Sequence, residues 1–75
     1  MFTIEAHIIE DGMKIDQTSP EFLGKSWNVK YSTKDDVISA ALYLEGDLED
    51  YELPQETVYT VHEDGGSFPV WSTAA

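Results

Sequence analysis

Residues 33–53 read TKDDVISAALYLEGDLEDYEL, and the pattern in this stretch sets the architecture of the whole chain. Thr33 is a good helix N-cap, because its side-chain oxygen can accept from an orphan backbone N–H of the first turn. Asp35 and Asp36 follow in that turn, where the helix dipole favours anions. Val37, Ala41, Leu44, Leu48 and Tyr51 fall at i, i+4, i+7, i+11 and i+14, with Ile38 and Leu42 beside them. This is an apolar stripe at helical period, expected against a sheet. Gly46 interrupts it at about 1 kcal/mol relative to Ala. Either the helix stops at Gly46 and an acidic loop follows, or it continues until Pro54 ends it. The apolar spacing keeps its phase across the glycine, which favours continuation.

Strands are expected on both sides of this helix. Phe2, Ile4, Ala6 and Ile8 alternate with Thr3, Glu5 and His7, the pattern of a half-buried strand. Asp11-Gly12 is a hairpin signal, and Met13-Lys14-Ile15-Asp16 can return antiparallel. Ser19-Pro20-Glu21 reads as an N-cap with proline at the first helical position, and Gly24 as a stop, leaving one helical turn or a loop. Trp27, Val29 and Tyr31 alternate with Ser26, Asn28 and Lys30, giving a third strand. Residues 57–61 are β-branched and aromatic and read as a strand. Glu63-Asp64-Gly65-Gly66 is a turn. Residues 67–72 can return as an edge strand, which tolerates Pro69. The expected fold class is α+β: a small antiparallel sheet of four to five strands, one main helix on one face, in the order β-β-β-α-β-β. All 75 residues belong to one domain.

Charge is distributed unevenly along this fold. The net charge is −11. Up to Lys34, five acids face four lysines; from Asp35 onwards there are ten acids and no Lys or Arg. The two parts therefore carry −1 and −10. Gathered like charges repel and destabilise a compact domain, so such an imbalance points to a surface that meets something positive. Arginine is absent altogether, and with it the usual reader of phosphates and guanine edges. Direct nucleic-acid binding and attraction to anionic membranes are not expected. Neither is a membrane span or a signal peptide, since no long apolar run and no basic leader occur. Cysteine is absent, which fits a reducing cytoplasm.

Catalysis is not expected. No Gly-rich phosphate loop and no nucleophile-base set with recognisable flanks occurs. Asp47-Leu48-Glu49-Asp50-Tyr51-Glu52 lacks the spacing of a calcium loop. His7 and His62 each lie in an expected strand beside acids, without a spacing that marks metal ligands, and read as ordinary half-buried histidines. No cofactor or metal is expected.

The cluster that stands out is acidic: Glu45, Asp47, Glu49, Asp50, Glu52 and Glu56. On a continuous helix Glu45, Glu49 and Glu52 share a face, roughly 5–6 Å apart. In an extended segment Glu45, Asp47 and Glu49 share one, roughly 7 Å apart. Either array imitates the row of charges along a nucleic-acid backbone. Carboxylates near a helix C-terminus oppose the dipole, so folding alone gives no reason for their placement. Asp36, Ala40, Tyr43, Asp47 and Asp50 form the expected outward face, with Tyr43 and Tyr51 as candidate anchors, since tyrosine is enriched at binding hot spots. Glu63 and Asp64 add to the acidic surface. Tyr59, Phe68, Trp71 and Trp27 are expected mainly in the core.

In size, charge and architecture the chain resembles small acidic phage-encoded inhibitors of nucleic-acid machines, the anti-CRISPR and anti-restriction proteins, several of them DNA mimics. The resemblance implies a stoichiometric, non-catalytic ligand that occupies the basic groove of a larger nucleic-acid-binding complex in the host cytoplasm. The alternative is a small acidic regulatory or structural subunit that docks a basic partner unrelated to nucleic acid.

Overall fold

A computed structural model describes residues 1–49 and 56–73, and of residues 47–49 the backbone only. The order is β1 (Phe2–Glu10), β2 (Met13–Asp16), α1 (Pro20–Leu23), a 3-10 turn (Gly24–Ser26), α2 (Lys34–Glu49), β3 (Glu56–Glu63) and β4 (Trp71–Ser72). The strands form a four-stranded antiparallel sheet in the spatial order β2-β1-β3-β4. The fold is α+β, as the periodicities predict.

The β1–β2 hairpin turns on Asp11 and Gly12, both at positive φ (52° and 76°). This is the turn whose twist suits an antiparallel pair, and Asp-Gly supplies it at low steric cost. Beyond β2, the Thr18 hydroxyl donates to Asp16 Oδ1 (2.6 Å) and accepts from the Ala6 N–H (3.1 Å), while the Gln17 N–H donates to the Ala6 carbonyl (2.8 Å). These bonds fasten the end of the hairpin to β1.

Residues 27–31 do not form the expected third strand. The Trp27 N–H donates to the Gly24 carbonyl and the Val29 N–H to the Ser26 carbonyl, and Asn28 lies at φ 60°. Asparagine tolerates this left-handed region, and the reversal there breaks the extended run. Only Tyr31 pairs with the sheet, through two 2.8 Å backbone bonds with Phe2. The alternation of Trp27, Val29 and Tyr31 thus marks a turn-rich connection, and Trp27 is 42% exposed where the core was expected.

Helix α2 starts where its cap predicts: Thr33 Oγ1 accepts from the Asp36 N–H at 3.2 Å. It passes Gly46 and runs to Glu49. Its Val37, Ala41 and Leu44 pack with Ile4 and Ala6 of β1, Tyr59 and Val61 of β3, and Leu23 of α1. Two positions correct the expected faces. Leu42 is 51% exposed rather than against the sheet, and Ala40 is half-buried against the core rather than outward. The buried face is shifted round the helix towards Ala40: Ile38 and Ala40 flank Val37, Ala41 and Leu44 against the core, and Leu42 lies beyond Ile38 at 3.6 residues per turn. The last strand is also shorter than predicted. Trp71 and Ser72 pair with β3, and Trp71 packs against the core, whereas Phe68 is 81% exposed.

Candidate functional site

Two surfaces carry chemistry: the acidic half of the chain, and the sheet face opposite the helix. On the first, Tyr31 bridges Phe2, and Phe2 pairs with Glu63. Helix α2 begins three residues after Tyr31. Asp36 therefore lies at the same end of the fold as Glu63 and Asp64, all three exposed. Glu56 opens β3 at the other end, about 23 Å away at the ordinary strand rise. Glu45, half-buried, lies near the far end of α2. The side chains of Asp47 and Glu49, and residues Asp50, Tyr51 and Glu52, fall outside the described residues. Among the described residues, Asp36, Glu63 and Asp64 thus lie at one end and Glu56 at the other, and Glu63 and Asp64 are not brought to Glu56.

Asp64 is partly neutralised, with Lys30 Nζ at 3.5 Å and the N-terminal ammonium at 3.9 Å, in exposed pairs worth little energetically. Among the described residues, Asp64 is the carboxylate paired with Lys or the N-terminal ammonium. Between the two ends, α2 presents Asp35, Ser39, Leu42 and Tyr43 to solvent, and Tyr43 is 71% exposed. Among the described residues no helix is long and apolar enough to cross a membrane.

The second surface follows from strand parity. Ile4, Ala6 and Ile8 of β1 are buried, and Ile4 and Ala6 meet α2, so Thr3, Glu5, His7 and Ile9 project from the opposite face. In the β1–β3 register Thr3 opposes His62, Glu5 opposes Thr60 and His7 opposes Val58. Both imidazoles lean onto the Thr60 hydroxyl: His62 Nε2 lies 2.7 Å from Thr60 Oγ1 and His7 Nε2 lies 3.2 Å from it. His62 Nε2 also lies 3.1 Å from Glu5 Oε2. The set is satisfied when His62 Nε2–H faces Glu5 and Thr60, and the Thr60 hydroxyl donates to His7 Nε2. Thr60 itself is fully buried. Burial, helped by Lys14, holds the His7 pKa below its ordinary 6.5, against the opposing pull of Asp16 and Glu5. A ligating atom of Glu5, His7 and His62 each lies within 4.8 Å of the other two.

Along the sequence the two histidines stand far apart. Glu5 and His7, two apart in a strand, were legible as one face. That His62 joins them depends on pairing across 55 residues of chain, which spacing does not reveal. A groove of about 190 Å³, lined by Thr3, Glu5, Thr18, Trp27 and Lys30 among others, opens beside Glu5.

No protein-family model matches the chain, and no curated protein or solved structure matches it either.

Proposed function

We propose that this protein is a non-catalytic inhibitor that docks the basic nucleic-acid-binding groove of a larger effector through its acidic half, in the manner of an anti-CRISPR DNA mimic. The observation that carries the reading is the outward stripe of α2. Leu42 and Tyr43 are exposed there, within a segment that holds acids and no bases after Lys34. Exposed apolar side chains between charged ends are the arrangement of a binding surface: a few anchors supply affinity, and surrounding charges steer the encounter. The described acidic ends, marked by Glu56 and Glu63 of β3, lie about 23 Å apart at the ordinary strand rise. Asp36, Glu63 and Asp64 serve one end. Glu45 and Glu56 serve the other; Asp47, Glu49, Asp50 and Glu52 add acids to the partner surface, with Tyr43 and Tyr51 as anchors.

Affinity capture on immobilised protein from a nuclease-treated bacterial lysate tests the reading. The expected result is retention of nucleic-acid-binding proteins that duplex DNA displaces. Retention should fail for the triple variant Glu49→Lys, Asp50→Lys, Glu52→Lys, and weaken for Tyr43→Ala. Equal capture by the triple variant refutes the acidic face as the binding surface. Partners that salt elutes but DNA does not displace favour a regulatory subunit unrelated to nucleic acid.

A further inference from the structure

We propose that Glu5, His7 and His62 form a binding site for one divalent transition-metal ion of the zinc class on the open face of the sheet. The site is independent of the acidic surface and of the function proposed for it. Three observations carry it. The first is composition: two imidazoles and one carboxylate are a ligand set that zinc accepts, with a fourth position left to water. The second is convergence. His7 and His62 come from opposite directions along neighbouring strands, yet both Nε2 atoms reach one hydroxyl, and Glu5 reaches His62 from between them. The third is distance. Metal–ligand bonds near 2.0–2.2 Å place tetrahedral ligands about 3.3–3.5 Å apart. The Glu5–His62 separation of 3.1 Å is already close to that. All three ligating atoms lie within 4.8 Å of one another, so rotations of exposed or half-exposed side chains suffice to close the set.

The surroundings suit a cation. Two neutral imidazoles and a carboxylate leave the bound ion with a residual positive charge, and the chain around it carries −11. Without an ion, Thr60 holds both rings at this face through their Nε2 atoms; an ion takes those lone pairs, so binding exchanges the two Thr60 bonds and the Glu5–His62 contact for metal–ligand bonds. The strands supply a rigid base: β1 is paired along both edges at His7, with Asp16 of β2 and Val58 of β3. Lys14 opposes the ion from β2, and Asp16, facing His7 on the same face, offsets it. Ligands of imidazole and carboxylate select zinc, cobalt, nickel or copper over calcium and magnesium, which prefer all-oxygen shells.

The test uses the intact chain and the metal alone. Zinc titration by calorimetry should give one ion per chain. Cobalt(II) should bind at the same site with visible absorption of a low-coordinate nitrogen–oxygen complex, and zinc should bleach it. In the parent protein, zinc should move the imidazole resonances of His7 and His62 and leave those of α2 in place. His62→Gln, at a half-exposed position, should weaken zinc binding at least tenfold while far-ultraviolet dichroism is unchanged, and Glu5→Gln should weaken it less. Calcium should not compete. The proposal is overturned if His62→Gln binds zinc as tightly as the parent. It is also overturned if the histidine resonances do not move, or if calcium displaces zinc, since either places the ion on the acidic surface. One ion shared by two chains overturns it as well, because the site is then not complete within one chain.

Discussion

Replacing Tyr59 by Phe removes one oxygen atom from the centre of the fold and isolates the bond that ties α1 to the sheet. The Tyr59 ring is fully buried among Ile4, Ala6, Leu23, Val37 and Ala41. Its hydroxyl donates to the Phe22 carbonyl at 2.9 Å. Phe keeps the ring packing and leaves that carbonyl without this donor. An unmatched, partly buried carbonyl costs about 1–2 kcal/mol. The unfolding entropy of a domain this size, near 2.1 cal/mol/K per residue, converts that to a Tm fall of roughly 6–12 °C. Total stability is expected at about 4–11 kcal/mol, so the variant still folds. Tyr59→Ala removes the ring as well, at about 3–5 kcal/mol, and brings the domain close to its limit. Heat and urea unfolding followed by circular dichroism measure both. Hydrogen exchange adds locality: the Phe22 and Leu23 amides, which donate to the Ser19 carbonyl, should exchange faster in Tyr59→Phe relative to those of β1. A Tm within about 1 °C of the parent refutes the reasoning, because the hydroxyl is then not what holds α1 down.

Gly46→Ala should stabilise the protein by about 0.5–1 kcal/mol, since a Cβ there meets no atom within 4 Å and the position lies inside α2. A fall in Tm would mean that the helix does not run through residue 46. The Asp16 carboxyl sits below its ordinary 3.8, first because the Thr18 hydroxyl and then because the Thr18 N–H bonds its ionised form. The stability this gives is present above the unfolded value and is lost as pH falls from there through the lower folded value. Thr18→Val should move the Asp16 carboxyl back upward in an NMR titration and flatten that part of the acid limb; an unchanged titration contradicts the assignment. Tyr43→Ala and Leu42→Ala should leave the unfolding free energy within about 0.5 kcal/mol of the parent's, as both side chains are largely exposed, and a larger loss would place them in the core.

Local chemistry was enough for several elements. Thr33, Asp35 and Asp36 name the start of α2, because capping and the dipole act within one turn. Asp11-Gly12 names the hairpin, because its turn needs two residues at positive φ. The alternation from Phe2 to Ile8 names the half-buried strand. Each of these signals lies within a few residues of the structure it specifies. The charge imbalance was legible for the same reason, since it is a count along the chain. Residues 27–31 were not, because period-2 alternation cannot report that Asn28 reverses the backbone. Leu42 was not either, because a hydrophobic stripe does not say to which side the buried face is shifted. The separation of Glu63 from Glu56 follows from the length of one strand, whereas the convergence of Glu5, His7 and His62 on Thr60 follows from antiparallel register between segments 55 residues apart. Register is set by how two strands and a helix share one core, and that packing depends on all of them at once.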